Sequence, residues 1–211
     1  MQLPERDLVL SERFTRAVDY ARRLHTEYRK GTRIPYMAHL LGVTSLVMGE
    51  AGGPIPVTEN MVIAAMLHDT VEDHGGQKRL DDVEATFGKD VARMVAGLSD
   101  SFIAEHEEKE AWDVRKQKYL DRLPGEHDDA LLICIADKLY NVRSIVVDYQ
   151  AVGPAVFDRF KAGADQQLWY YEALLAIFKS RLGKNKMVEE LSKGVNELRH
   201  LIEKDHQARH S

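Results

Sequence analysis

The stretch MVIAAMLHDTVED, residues 61–73, is the most informative segment of this 211-residue chain. The segment predicts a helix, and its apolar part, which ends in AAML just before His68, should be buried. His68 and Asp69 follow directly, and Glu72 and Asp73 come four residues after them. Because residues four apart lie on the same side of a helix, a continuous helix would gather one imidazole and three carboxylates. A divalent cation would relieve the repulsion between those acids.

Two other apolar segments are also interrupted by polar side chains. Asp137 interrupts LLICIADKL, Asn141 follows one turn later, and His39 lies within PYMAHLLGV. Burying an unpaired carboxylate is costly, so each interruption needs a physical reason. Together with His68 and Asp69 they offer two imidazoles and two carboxylates, a donor set suited to manganese, iron, cobalt or nickel. Spacing alone leaves two interpretations open, a metal site or polar groups hydrogen-bonded within the core.

Helical periodicity extends through most of the chain. Apolar residues recur three and four positions apart between Phe14 and Leu24, and again between Met187 and Ile202. Thr58 is a predicted N-cap for the helix that contains residues 61–73, and Gly75-Gly76 is its predicted stop. No segment alternates with period two between hairpin turns. The sequence therefore predicts an all-α fold, a helical bundle with a C-terminal helical extension.

A turn signal at Gly153-Pro154 suggests where the bundle gives way to the extension. We expect a core over residues 1–153 and an extension over residues 154–211 that packs on it. The last amphipathic stripe can pack on its own core or on another subunit. Both a monomer and a homo-oligomer therefore stay open.

Composition excludes several classes of protein. Hydrophobic residues make up 44% of the chain, enough to bury a core, and the net charge of −5 argues against a protein that coats nucleic acid. No apolar run approaches the ~20 residues that cross a bilayer, so no membrane partner is expected. The acidic start lacks the order of a signal peptide, and the single cysteine allows no intrachain disulfide. A cytoplasmic location is predicted.

Four segments in order carry a family resemblance: RKGTRIPYMAHLLGV, AAMLHDTVEDHGG, FGKDVARMVAGLSD and IADKLYNVRSI. An isolated His, a His-Asp pair and a distant Asp resemble the H…HD…D signature of the HD superfamily of metal-dependent phosphohydrolases. The four segments that surround these residues resemble the hydrolase domain of RelA/SpoT proteins and the stand-alone alarmone hydrolases. The resemblance implies the HD-domain helical bundle and runs from about Ala21 to Ile145.

The resemblance also implies a ligand set. The family's metal ligands fall on His39, His68, Asp69 and Asp137. We expect one divalent ion, with Mn²⁺ first and Fe²⁺, Co²⁺ or Ni²⁺ as alternatives.

The family's acidic pair, which handles the attacking water, falls on Glu72 and Asp73. A metal-bound water yields hydroxide near neutral pH, and either carboxylate can take its proton if it lies within hydrogen-bonding reach.

Five polar residues are candidates for nucleotide contacts. The family's basic loop falls on Arg29 and Lys30, and its nucleotide-binding asparagine falls on Asn141. The segment RKGTRIPY is one residue longer than the usual basic-to-Tyr spacing, which leaves open which basic residue is used and whether guanine is selected. Lys138 and Arg143 are further cations that can offset charge on a phosphoryl group.

The leading prediction is a hydrolase that removes the 3′-pyrophosphate from guanosine tetra- or pentaphosphate. The resemblance implies that specific activity, whereas the residues by themselves indicate only a metal-dependent phosphohydrolase. The alternatives are a general nucleotide or nucleoside-monophosphate phosphohydrolase and a non-catalytic HD module that binds a nucleotide. In each case the expected partner is a small nucleotide.

Overall fold

The structure, a computed structural model, describes residues 7–100 and 110–209. The α-helices of this part run, in chain order, over α1 Glu12–Leu24, α2 Met37–Met48, α3 Glu59–Leu67, α4 Thr70–Asp73, α5 Gly76–Phe87, α6 Lys89–Leu98, α7 Trp112–Arg122, α8 Asp128–Val152, α9 Ala164–Leu182 and α10 Lys186–Arg209. Short 3₁₀ helices lie at Leu123–Gly125 and Gly153–Arg159. The described residues form an isolated antiparallel bridge but no strand, which confirms the all-α class. No described helix is long and apolar enough to cross a membrane.

The chain divides into two compact units, residues 1–136 and residues 137–211. This boundary falls inside α8, whereas the sequence analysis placed the end of the core after residue 153. The boundary after residue 136 separates two compact parts of the structure, whereas the boundary after residue 153 is the predicted end of the phosphohydrolase core. The division after residue 153 therefore stays a prediction about function.

Helix α3 is the centre of the first unit. Every residue from Met61 to Leu67 is buried, and α3 packs against α1, α2 and α6. The side chain of Thr58 accepts a hydrogen bond from the Met61 amide at 3.3 Å, so the predicted N-cap is confirmed. A helix that is apolar on all sides needs neighbours on all sides, and this is why α3 lies at the middle of the unit.

The predicted continuous helix through residue 73 is wrong, because the segment breaks between Leu67 and Thr70. The Thr70 hydroxyl donates to the Leu67 carbonyl oxygen at 2.6 Å, and His68 Nδ1 contacts the Ala65 carbonyl oxygen at 2.8 Å. These side chains take up carbonyl oxygens at the end of the helix, an alternative to helical hydrogen bonding. As a result His68 and Asp69 lie at a turn between α3 and α4.

The second unit is built around the pairing of α9 with α10. The Tyr149 hydroxyl donates to the Leu201 carbonyl oxygen at 3.1 Å, which joins α8 to α10. Gly194 allows a close approach, because a Cβ there would lie 2.8 Å from Cγ1 of Val142.

Candidate metal centre

Three of the predicted ligands come together in the first unit. His39 is in the first turn of α2, and His68 and Asp69 form the turn after α3. Because α2 packs along α3, the His39 ring lies beside the end of α3. Both imidazoles are buried, while the Asp69 side chain keeps a fifth of its surface exposed. The centre is therefore closed on its protein side and open at the carboxylate.

The separations between the donor atoms fit a metal ion. His39 Nε2 lies 3.2 Å from His68 Nε2 and 3.2 Å from Asp69 Oδ2, and the third side of the triangle, from His68 Nε2 to Asp69 Oδ2, is 3.0 Å. Ligands about 2.1 Å from an ion and at right angles to one another lie about 3.0 Å apart. These three side chains, a triad of two imidazoles and one carboxylate, could hold a divalent ion and would leave it further coordination positions.

Neighbouring groups orient the donors. The contact of His68 Nδ1 with the Ala65 carbonyl oxygen places the proton of the neutral ring on Nδ1, so Nε2 presents a lone pair to the centre. The Tyr36 hydroxyl donates to Asp69 Oδ2 at 2.7 Å. Tyr36 thus anchors the carboxylate from the entrance of α2.

The charge state of Asp69 suits a ligand. Burial opposes its ionisation, but the adjacent imidazoles of His68 and His39 hold the pKa of Asp69 well below its usual range. Burial and the charge of Asp69 raise the pKa of Tyr36 well above its ordinary value. Tyr36 therefore remains a hydrogen-bond donor while Asp69 remains a carboxylate.

Glu72 lies on α4, one turn beyond the triad, next to an ion-pair cluster. Burial and the charge of Asp100 raise the pKa of Glu72. Asp100 accepts hydrogen bonds from Arg115 at 2.5 Å and from Lys116 at 2.6 Å. Arg115 also lies 3.8 Å from Glu72. A carboxyl with a raised pKa accepts a proton more readily than an exposed one, which is the property that a general base needs.

Asp100 is the residue of this cluster that sequence reasoning missed. Its carboxylate forms ion pairs with Arg115 and Lys116 of α7. Asp100 ends a quoted family segment, but nothing in its spacing connects it with residues 115 and 116. The burial of its side chain, only 3% exposed, is visible in the structure alone.

The basic loop before α2 is a tight turn. The Arg29 amide donates to the Ile34 carbonyl oxygen at 2.8 Å, and Tyr28 and Pro35 form the antiparallel bridge. The Arg29 guanidinium lies 5.6 Å from the centre of the Tyr36 ring, within the range of a cation–π contact, whereas Lys30 is exposed. Of the two basic candidates, Arg29 is the one that lies against a residue of the metal centre.

The remaining predicted residues lie in the second unit, on α8. Asp137 accepts hydrogen bonds at 2.6 Å from both Lys138 and Asn141. Arg143 pairs with Glu190 of α10 at 3.0 Å. Asp137 is therefore a buried carboxylate with two side-chain donors, and its assignment as a ligand stays a prediction, as do the nucleotide contacts of its neighbours.

Comparison with known proteins supplies the family. The HD domain model matches residues 17–164. Guanosine-3′,5′-bis(diphosphate) 3′-pyrophosphohydrolase MESH1 of Homo sapiens is 33% identical over 182 residues, which cover 84% of this chain and 89% of that protein. Guanosine-3′,5′-bis(diphosphate) 3′-pyrophosphohydrolase of Aquifex aeolicus is 30% identical over 137 residues. These residues cover 65% of this chain and 18% of that protein.

A solved structure agrees with these relatives. It is described as a metazoan ortholog of SpoT that hydrolyzes ppGpp, and it superposes with a TM-score of 0.70 at 25% identity. The superposition covers 92% of this chain and 99% of that one. The HD domain model spans most of this chain, and human MESH1 matches the chain over 89% of its own length. This chain therefore belongs to the HD domain family.

Proposed function

We propose that this protein is a divalent-metal-dependent hydrolase that removes the 3′-pyrophosphate of guanosine 3′,5′-bis(diphosphate). The observation that carries the proposal is the triad of His39, His68 and Asp69, whose donor atoms lie 3.0–3.2 Å apart. The relatives named for this activity give the substrate. The reaction adds water across the bond between the 3′ oxygen and phosphorus, and it yields guanosine 5′-diphosphate and pyrophosphate.

The protein's own groups orient the ligands and handle the proton. A bound divalent ion would lower the pKa of a water molecule and stabilise charge on the phosphoryl oxygens. Tyr36 holds Asp69 in place, and the Ala65 carbonyl oxygen holds the His68 ring. Burial is the largest cause of the raised pKa of Glu72. Glu72 and Asp73 are together proposed to take the proton of the attacking water.

Nucleotide binding is proposed for the basic loop and for residues of α8. Arg29 is favoured over Lys30 for the base or phosphate contact because its guanidinium is held over Tyr36. Lys138, Asn141 and Arg143 are retained as proposed contacts from the sequence. Asp137 is retained in the same way as the proposed fourth ligand.

The test is a product analysis. The protein is freed of metal with a chelator, loaded with Mn²⁺ and incubated with guanosine 3′,5′-bis(diphosphate), and the products are separated by anion-exchange chromatography. We expect guanosine 5′-diphosphate and pyrophosphate in equal amounts, and no product with Asp69→Ala.

A nucleotide panel separates the alternatives. Cleavage of nucleoside monophosphates in place of the bis(diphosphate) would favour the general phosphohydrolase. Binding of nucleotides without any turnover would favour the non-catalytic module. Either result would overturn the proposed substrate.

Manganese as the native ion, a cytoplasmic location and a homo-oligomer are also proposals. The mixed nitrogen and oxygen donors support manganese, iron, cobalt or nickel. Elemental analysis of protein purified without chelator tests the ion, cell fractionation tests the compartment, and light scattering tests the oligomeric state.

A further inference from the structure

A second cluster of two histidines and one carboxylate lies in the first unit. His25 directly follows α1, Glu27 lies two residues further on, and His74 directly follows α4. His25 Nδ1 lies 2.8 Å from Glu27 Oε1 and 3.2 Å from His74 Nε2, and His74 Nε2 lies 3.7 Å from Glu27 Oε1. Two nitrogens and one oxygen therefore lie close enough to share one ion.

The surrounding contacts hold these side chains in place. The His25 ring stacks on Tyr36 at 4.9 Å and meets His74 edge-on at 4.4 Å. Arg79 donates to the His74 carbonyl oxygen at 2.9 Å and to the Tyr20 hydroxyl at 2.9 Å, which ties α5 to α1. Donors fixed by packing and hydrogen bonds lose little freedom when they bind an ion.

Hydrogen bonding within the cluster does not satisfy all three groups. His25 Nδ1 carries either one proton or one lone pair, yet it faces both Glu27 and His74. Burial lowers the pKa of His25, and hydrogen bonding to His25 lowers the pKa of Glu27 against the effect of burial. The two directions favour a neutral ring and a charged carboxylate, which are the forms that bind a cation.

We propose that His25, Glu27 and His74 form a second divalent-ion site, of the class that binds Zn²⁺. For donor atoms about 2.1 Å from an ion, the separations of 2.8, 3.2 and 3.7 Å correspond to ligand–ion–ligand angles of about 85°, 100° and 125°. The mean of these angles is near the tetrahedral value. Two imidazoles, one glutamate and an open fourth position is a known donor set for zinc. The Glu27 side chain is 40% exposed, so solvent reaches that fourth position.

An ion at this site would join the end of α1 to the end of α4. The residue before His74 is Asp73 of the proposed acidic pair, and His25 stacks on the tyrosine that holds Asp69. Occupancy would thus restrain the end of α4 and the ring of Tyr36. The proposal does not depend on the nucleotide substrate or on turnover.

Metal stoichiometry tests the site. Metal-free protein is titrated with Zn²⁺ by calorimetry, and the bound metal is counted by elemental analysis after dialysis. We expect two ions on the natural protein, one on Asp69→Ala, and one on Glu27→Gln combined with His74→Asn. His200→Asn, at an exposed histidine of α10, is the matched control and should bind two.

Imidazole nitrogen NMR identifies the atoms. Zn²⁺ should shift Nδ1 of His25 and Nε2 of His74 in Asp69→Ala protein, where the first centre is removed. If the double variant fails to fold by circular dichroism, Glu27→Gln alone, at a partly exposed position, should weaken the second binding event at least tenfold. One ion on the natural protein and none on Asp69→Ala, or two ions on the Glu27/His74 variant, would overturn the proposal.

Discussion

Asp100 offers a stability prediction whose size follows from the structure. Its carboxylate is buried and paired with Arg115 and Lys116. Although burial acts against ionisation, these cations lower the pKa of Asp100 from its ordinary value of 3.8 to about 2. At about 1.4 kcal/mol per pKa unit, the ionised carboxylate contributes about 2.5 kcal/mol to the free energy of unfolding. Asp100→Asn should therefore lower that free energy by about 2.5 kcal/mol at pH 7.

The pH dependence makes this prediction specific. A depressed pKa contributes stability above the unfolded pKa and loses it as the pH falls through the folded pKa. The difference between natural protein and Asp100→Asn should be nearly constant from pH 7 to pH 4 and fall to about half near pH 3. Urea unfolding followed by circular dichroism at several pH values measures it.

A surface ion pair supplies the control. Asp19 pairs with Arg22 on α1 at 3.2 Å, and both side chains are more than half exposed. Asp19→Asn should cost under about 0.5 kcal/mol at every pH, because solvent screens an exposed pair. The reasoning about Asp100 would be refuted by a cost no larger than that of Asp19→Asn, or by a cost that does not change between pH 7 and pH 3.

Three further predictions concern the metal centre and the packing of the second unit. Tyr36→Phe removes the hydrogen bond to the carboxylate ligand but keeps the ring, so the affinity of the first centre for Mn²⁺ should fall about tenfold or more in a calorimetric titration. Glu72→Gln with Asp73→Asn should keep that ion and lose turnover, and full activity of this double variant would contradict the proposed proton transfer. Gly194→Ala places a Cβ 2.8 Å from Val142 Cγ1 and should lower the free energy of unfolding by about 1 kcal/mol despite the better helix propensity of alanine. Gly194→Ala should cost less in a Val142→Ala background, as measured by thermal unfolding of the four proteins of the cycle. Equal effects of Gly194→Ala with and without Val142→Ala would exclude the contact as its cause.

Much of the fold followed from periodicity and local chemistry. An apolar stretch as long as residues 61–67 has to be buried on all sides, and α3 is indeed enclosed by its neighbours. The Thr58 cap was also predictable, because it depends on one side chain and an amide three residues away. The break after Leu67 was not predicted, since the hydroxyl of Thr70 competes locally with helical hydrogen bonds, and residue pattern alone does not show which of the two prevails.

The sequence by itself determined the all-α class, the family and the identity of the three residues that meet in the candidate metal centre. These depend on residue type, short spacing and ordered motifs. Tertiary structure decided that Tyr36 holds Asp69, that Asp100 pairs with Arg115 and Lys116 of α7, and that His25 and Glu27 meet His74. Those partners are 15 to 49 residues apart in the chain. Only the packing of α1, α2, α4 and α7 sets their separations, because side-chain chemistry acts over a few ångströms and sequence distance carries no such information.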